Sequence, residues 1–131
     1  MAVAVLALQF NQANVIASQT NANLTTYDTG VADITMPWPG AIIGLAVNLE
    51  NARTAGTATF KPAKNGTALT LSAAIDGTNT QRNYATQAKE IDQFAAGDRI
   101  GAQVTTDAAW AAGVTPSAVV TVYVQRFLSE T

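Results

Sequence analysis

The segment from Ala118 to Leu128 constrains the fold more than any other stretch of this 131-residue chain. Val120, Val122 and Val124 alternate there with Val119, Thr121 and Tyr123, the period of two that a β-strand imposes, and β-branched and aromatic side chains pack well on a pleated surface. A strand that is apolar on both faces meets the core on one side and something else on the other, for which a neighbouring subunit is the natural candidate. The same period runs from Ala41 to Leu49, with Ala41, Ile43, Leu45, Val47 and Leu49 opposed to Ile42, Gly44, Ala46 and Asn48, and predicts a central core strand. Near the start, Ala4, Leu6, Leu8 and Phe10 alternate with Val3, Val5, Ala7 and Gln9, which reads as a strand buried largely on both sides.

Turn formers divide the rest. Asn65-Gly66 sits between the alternating runs Thr57 to Lys64 and Thr67 to Ile75, with Leu69, Leu71 and Ala73 expected inward. A type I′ hairpin turn needs two positive φ angles, which Asn and Gly tolerate best. Pro62 lacks an amide donor, so its strand belongs at an edge or carries a bulge. Asn11 to Asn23 reads as an irregular arm or weak edge strand, broken only by Val15 and Ile16. Short strands are expected at Leu24 to Tyr27 and Val31 to Met36, around a turn at Asp28 to Gly30. Pro37 and Pro39 then interrupt pairing on either side of Trp38. Between Thr78 and Gln93, Tyr84, Ala85, Ala88 and Ile91 would suit a helical face, but Thr and Asn favour a loop and a strand from Thr86 to Ile91. A turn at Phe94 to Asp98 leads to a strand from Arg99 to Thr105 and a loop from Thr106 to Ser117.

These runs amount to roughly eight to nine strands with no long helical pattern, the signature of an all-β protein: a single antiparallel β-sandwich of jelly-roll type. Residues 1–23 form an N-terminal strand and arm, and residues 24–131 the jelly roll, within one structural domain.

Composition narrows the function. Only 12% of residues are charged, against about 25% in ordinary globular domains, so Thr, Asn, Gln and Ser must supply the polar surface. The net charge is −2 and the seven basic residues do not cluster, which argues against nucleic acid as a partner. No stretch approaches the ~20 apolar residues that span a bilayer, so no membrane partner is expected. The apolar start lacks the charged region and cleavage site of a secretory signal, which implies synthesis in the cytoplasm.

His and Cys are both zero, removing the commonest general base, the thiolate nucleophile and nearly every zinc or iron site. The nine carboxylates could serve glycoside hydrolysis only if two faced each other across a sugar. Asp28, Asp76 and Asp98 sit beside Gly in turn contexts, where a short acceptor bonds the local backbone. Asp92, Asp98 and Asp107 could in principle surround calcium, but the alternate-position loop of an EF-hand is missing. No GxSxG elbow or GxxxxGK loop occurs, and no serine is singled out for a dyad with Lys61, Lys64 or Lys89. The expectation is a non-enzyme without cofactor or metal.

The candidate contact residues are therefore aromatic and aliphatic. Trp38, Trp110, Tyr27 and Tyr84 lie in or beside expected loops, where an aromatic either lids the sandwich or offers a platform for a sugar ring or a protein. Val120, Val122 and Val124, or their alternates, are candidates for an intersubunit surface. Arg53, Arg82 and Arg126 serve equally as interface groups or solvated charges, and Phe127 and Leu128 as core or contact.

Three blocks carry a resemblance: Pro37-Trp38-Pro39-Gly40 leading into AIIGLAVNLENARTAGTATFKPAKNGT, then FAAGDRIGAQVTTDAAW, then SAVVTVYVQRF. Their order resembles the small β-sandwich domains of tailed-bacteriophage virion proteins, related in pattern to the trimeric C1q/TNF-like jelly roll. The resemblance covers Met36 to Phe127 and implies a virion component. Because no repetitive shaft precedes the domain, it looks more like a head decoration (cement) protein than a tail fibre. It implies a homotrimer that binds the major capsid protein and stabilises the head, with residues 1–23 pairing with a neighbour or with the capsid. The alternative is a receptor- or glycan-binding tip domain or lectin-like module using the loop aromatics.

Overall fold

The computed structural model describes residues 4–26, 30–113 and 117–128. The strands are β1 (Ala4–Gln12), β2 (Ala22–Asn23), β3 (Asp33–Thr35), β4 (Gly40–Leu49), β5 (Arg53–Ala55), β6 (Ala58–Lys64), β7 (Thr67–Ala68), β8 (Ala73–Ile75), β9 (Arg82–Thr86), β10 (Asp92–Phe94), β11 (Arg99–Thr106), β12 (Ala111–Ala112) and β13 (Ala118–Arg126). All pairings are antiparallel, and the described residues contain no helix. The architecture is an antiparallel β-sandwich of jelly-roll type.

One sheet has the order β1-β13-β4-β10, with β9 also paired to β4; the second runs β2-β11-β6-β7, with β3 on β11 and β8 on β6. A small β5-β12 ladder lies apart. The core forms where the two inner faces meet, and holds Phe10, Leu45, Val47, Val120, Val122 and Val124 from the first sheet with Phe60, Ile75, Ile100, Ala102 and Val104 from the second. Burying such side chains stabilises the fold by about 1.5–3 kcal/mol each.

Local chemistry explains the sharpest features. Asn65 and Gly66 have φ of 53° and 85°, the two positive angles of the type I′ turn that joins β6 to β7. The partner strand is not continuous: it pairs with β6 as β7 and again as β8, with Leu69 and Leu71 half-buried between them. The β-strand near Tyr84 lies earlier than the sequence suggested, at Arg82–Thr86, and Gln87 to Ile91 is a connection.

β4 departs from simple alternation. Tyr123 pairs with Gly44 and Val124 with Ile42, so Ile43 is the extra residue of a β-bulge. A bulge exchanges the faces of the residues beyond it. Ile42 accordingly joins the core with no exposure while Ile43 is only half-buried, the reverse of the expected pattern.

The N-terminal strand belongs to this chain's own sheet: β1 pairs with β13 from Ala4↔Arg126 to Gln12↔Ala118 without interruption. The arm that follows is tied to the end of β11. Thr106 Oγ1 donates to the Ile16 carbonyl at 2.6 Å and accepts the Gln19 N–H at 2.9 Å, and Val15 is buried.

Candidate functional site

The two sheets each turn one face away from the core, and only one of these faces is apolar. The register of β1, β13, β4 and β9 places side chains in rows across the first sheet: Ala7, Tyr123, Gly44 and Thr86 in one, and Gln9, Thr121, Ala46 and Tyr84 in the next. A third row, Asn11, Val119, Asn48 and Arg82, closes the surface with polar groups at its far end. Tyr84 is 75% exposed, Val5 51%, Val119 39% and Tyr123 38%. Large apolar side chains held in contact with water mark an interaction surface when they adjoin one another.

Gly44 is the floor of this surface. A Cβ there would meet Tyr123 Cβ at 3.5 Å and the Ala85 carbonyl at 3.6 Å, ordinary contacts. The absence of a side chain therefore opens a shallow cleft of about 340 Å³ lined by Val5, Ile43, Gly44, Tyr84, Thr86 and Tyr123. Its walls are almost wholly apolar, with the bulge turning Ile43 into it. Such a cleft holds an apolar side chain or the flat face of a ring; it contains no acid or base.

The structure separates the other aromatic candidates. Trp110 is a core residue, 5% exposed, with its indole Nε1–H donating to the Val15 carbonyl at 3.0 Å. It is no platform for a ligand: Gly56, at φ 72°, lets the preceding loop run against the Trp110 backbone so closely that a Cβ would clash there. Trp38 is half-buried beside the end of β13, where the Arg126 guanidinium lies 4.4 Å from the ring centroid, a cation–π contact that uses one face of the indole. Tyr27 and Asp28 lie outside the described residues. Among the described aromatic candidates, Tyr84 alone is a fully presented side chain.

Val120, Val122 and Val124 are 0–1% exposed and fill the space between the sheets, so they are not surface contacts. Their alternates Val119 and Tyr123 face outward instead. Val5 and Tyr123, which the sequence reading did not single out individually, were discoverable from the same alternation once one face of each strand had been assigned to the core.

Four of the carboxylates are engaged by backbone or amide donors. Asp76 accepts the Thr78 and Asn79 N–H groups, both at 2.9 Å, and Asp98 accepts the Ala95 N–H at 2.9 Å and an Asn65 Nδ2–H at 3.1 Å. These bonds favour the ionised form and hold both carboxyls below the usual 3.8, the backbone of Asn79 contributing most for Asp76 and that of Ala95 most for Asp98. Asp92 accepts from Gln87 at 2.8 Å and Asp107 from the Thr57 N–H at 3.1 Å. Asp92, Asp98 and Asp107 thus serve three separate turns, and among the described residues no three acids gather in a metal-binding group.

The chain matches no protein-family model, and no curated protein matches it.

Proposed function

We propose that this protein is a structural component of a bacteriophage particle, a decoration protein that binds the major capsid protein and stabilises the head. The observation that carries the reading is the largely apolar outer face built from Val5, Val119, Tyr123, Ala46 and Tyr84, with Arg82 at its polar far end. A lattice contact needs buried apolar area and few charges to repel repeated copies, and this face supplies both. The likeness of the Met36 to Phe127 blocks to phage virion sandwiches directs the reading to a capsid. The test is co-sedimentation with heads of the phage whose genome carries the gene, purified without the protein. Bound protein and a raised temperature of head disruption are expected, and heads left equally fragile with the protein in the supernatant would end the proposal.

A second reading, glycan recognition by a tip domain, draws on one observation: Tyr84 and Tyr123 rise beside the bare backbone of Gly44, a shape that accepts a sugar ring against an aromatic face. It expects a response on a glycan array that Tyr84→Ala removes while the domain stays folded.

A further inference from the structure

Among the described residues, the edge of β1 that faces away from β13 is paired at Asn11 and open from Gln9 back to Val5. Asn11 donates its N–H to the Thr25 carbonyl at 2.8 Å and accepts the Thr25 N–H at 3.0 Å, on the side away from β13. Backbone groups alternate in direction along a strand, and β1 has no register shift, so Val5, Ala7 and Gln9 point their N–H and C=O groups to that same side. Among the described residues nothing pairs with them there.

Natural edges of this kind are guarded by a charge, a proline, a bulge or extreme shortness. β1 has nine residues and none of these devices. Its inward side chains show the same incompleteness: Leu6 and Leu8 pack against the core but remain half-buried, since among the described residues no strand lies beyond them.

We infer that β1 pairs antiparallel with β1 of a second copy about a twofold axis at Ala7, joining two first sheets into one. The register follows from the residues. The Thr25 bridge closes the edge at Asn11, so pairing runs from Gln9 back to Val5 and centres on Ala7. Val5 then exchanges hydrogen bonds with the partner's Gln9, and Ala7 with the partner's Ala7, about six bonds in all. In the same register Leu6 lies opposite the partner's Leu8 and Leu8 opposite the partner's Leu6, both in the closer, non-hydrogen-bonded spacing. Each half-exposed leucine is covered by the other, and no charge meets a like charge across the axis. A twofold contact must be self-complementary, and this edge is.

The inference is independent of capsid binding: the solution mass tests it, and co-sedimentation tests the proposed function. Light scattering over a dilution series is expected to give the mass of two chains. Ala7→Pro removes an N–H that faces away from β13 and so spares the intramolecular ladder; it is expected to halve the mass with the far-UV spectrum unchanged. Since the chain has no other cysteine, Ala7→Cys places one thiol beside its copy at the axis, and mild oxidation is expected to give a covalent dimer that Val119→Cys does not. A single-chain mass at every concentration, or a dimer or trimer that Ala7→Pro leaves intact, overturns the inference. If Ala7→Pro does not fold, the cysteine pair decides: cross-linking absent at Ala7→Cys, or equal at both positions, overturns it too.

Discussion

The two outward faces of the sandwich solve the same problem in opposite ways. On the second sheet the outward row is polar and internally bonded: Gln103 Nε2 donates to Asn23 Oδ1 and to the Gly66 carbonyl, both at 3.0 Å, and Thr105 Oγ1 donates to Asn21 Oδ1 at 3.2 Å. Gln103 is only 5% exposed as a result, and the face is finished by its own side chains. The first sheet leaves Tyr84, Val5, Val119 and Tyr123 open instead. A chain with so few charges cannot make every surface polar by charge, so its amides and hydroxyls are concentrated where no contact is needed. What remains apolar is the face proposed above for contact.

Substitutions that mistake one face of β13 for the other should have the largest effect. Val122→Asp puts an unpaired charge between the sheets and is expected to cost at least ~4 kcal/mol, a large part of a typical ~5–15 kcal/mol stability; loss of the cooperative unfolding transition would show it. Trp110→Ala follows at about 3–5 kcal/mol, as for other large core aromatics, measured by denaturant midpoint. A milder result would mean that the indole is less deeply enclosed than Val15 and Gly56 make it.

Gln103→Leu breaks the polar finish of the second sheet and should cost roughly 1–3 kcal/mol by stranding its partners, without altering capsid binding. Acid is expected to act gently, through the turns that both sheets share. The folded pKa values of Asp76 and Asp98 lie below the ordinary 3.8, so the folded state binds fewer protons than the unfolded one as pH falls through that range. Their contribution is complete above 3.8 and is lost as pH drops through the depressed values. A melting temperature that is flat near neutrality and falls below about pH 4, less steeply in Asp98→Asn, is the expected profile. Tyr84→Ser should change stability least, within about 0.5 kcal/mol, yet reduce head binding at least tenfold. Unchanged binding would detach the apolar face from the proposed function.

Much of this architecture was legible because it depends on neighbours in sequence. The turn at Asn65-Gly66, the strand beginning at Arg99 and the alternation of β13 are local, and they survive in the fold, as does the alternation of β4 from Leu45 to Leu49. What escaped was decided by distant partners. The bulge at Ile43 follows from the match of Gly44 to Tyr123, and no residue of β4 signals it by itself. Tyr84 and Ile91 mimicked one side of a helix, but pairing of β9 with β4 turns Tyr84 outward and Ala85 inward. Trp110 lay in an apparent loop, and only the return of the arm brings the Val15 carbonyl to its indole. Val15 was the clue, an apolar residue in an otherwise polar stretch.

The pairing of β1 with β13 also governs when the molecule can form. Gln12 finds its place opposite Ala118, and Ala4 opposite Arg126, so an emerging chain must carry its uncharged first strand unpaired until nearly all of the domain has left the ribosome. Folds dominated by such distant pairings form in milliseconds to seconds, and during that interval an unguarded strand is exposed to strands of other nascent chains. Slowing synthesis alone will not help this protein fold, whereas a holdase that shields Ala4 to Gln12 should raise the yield of soluble product.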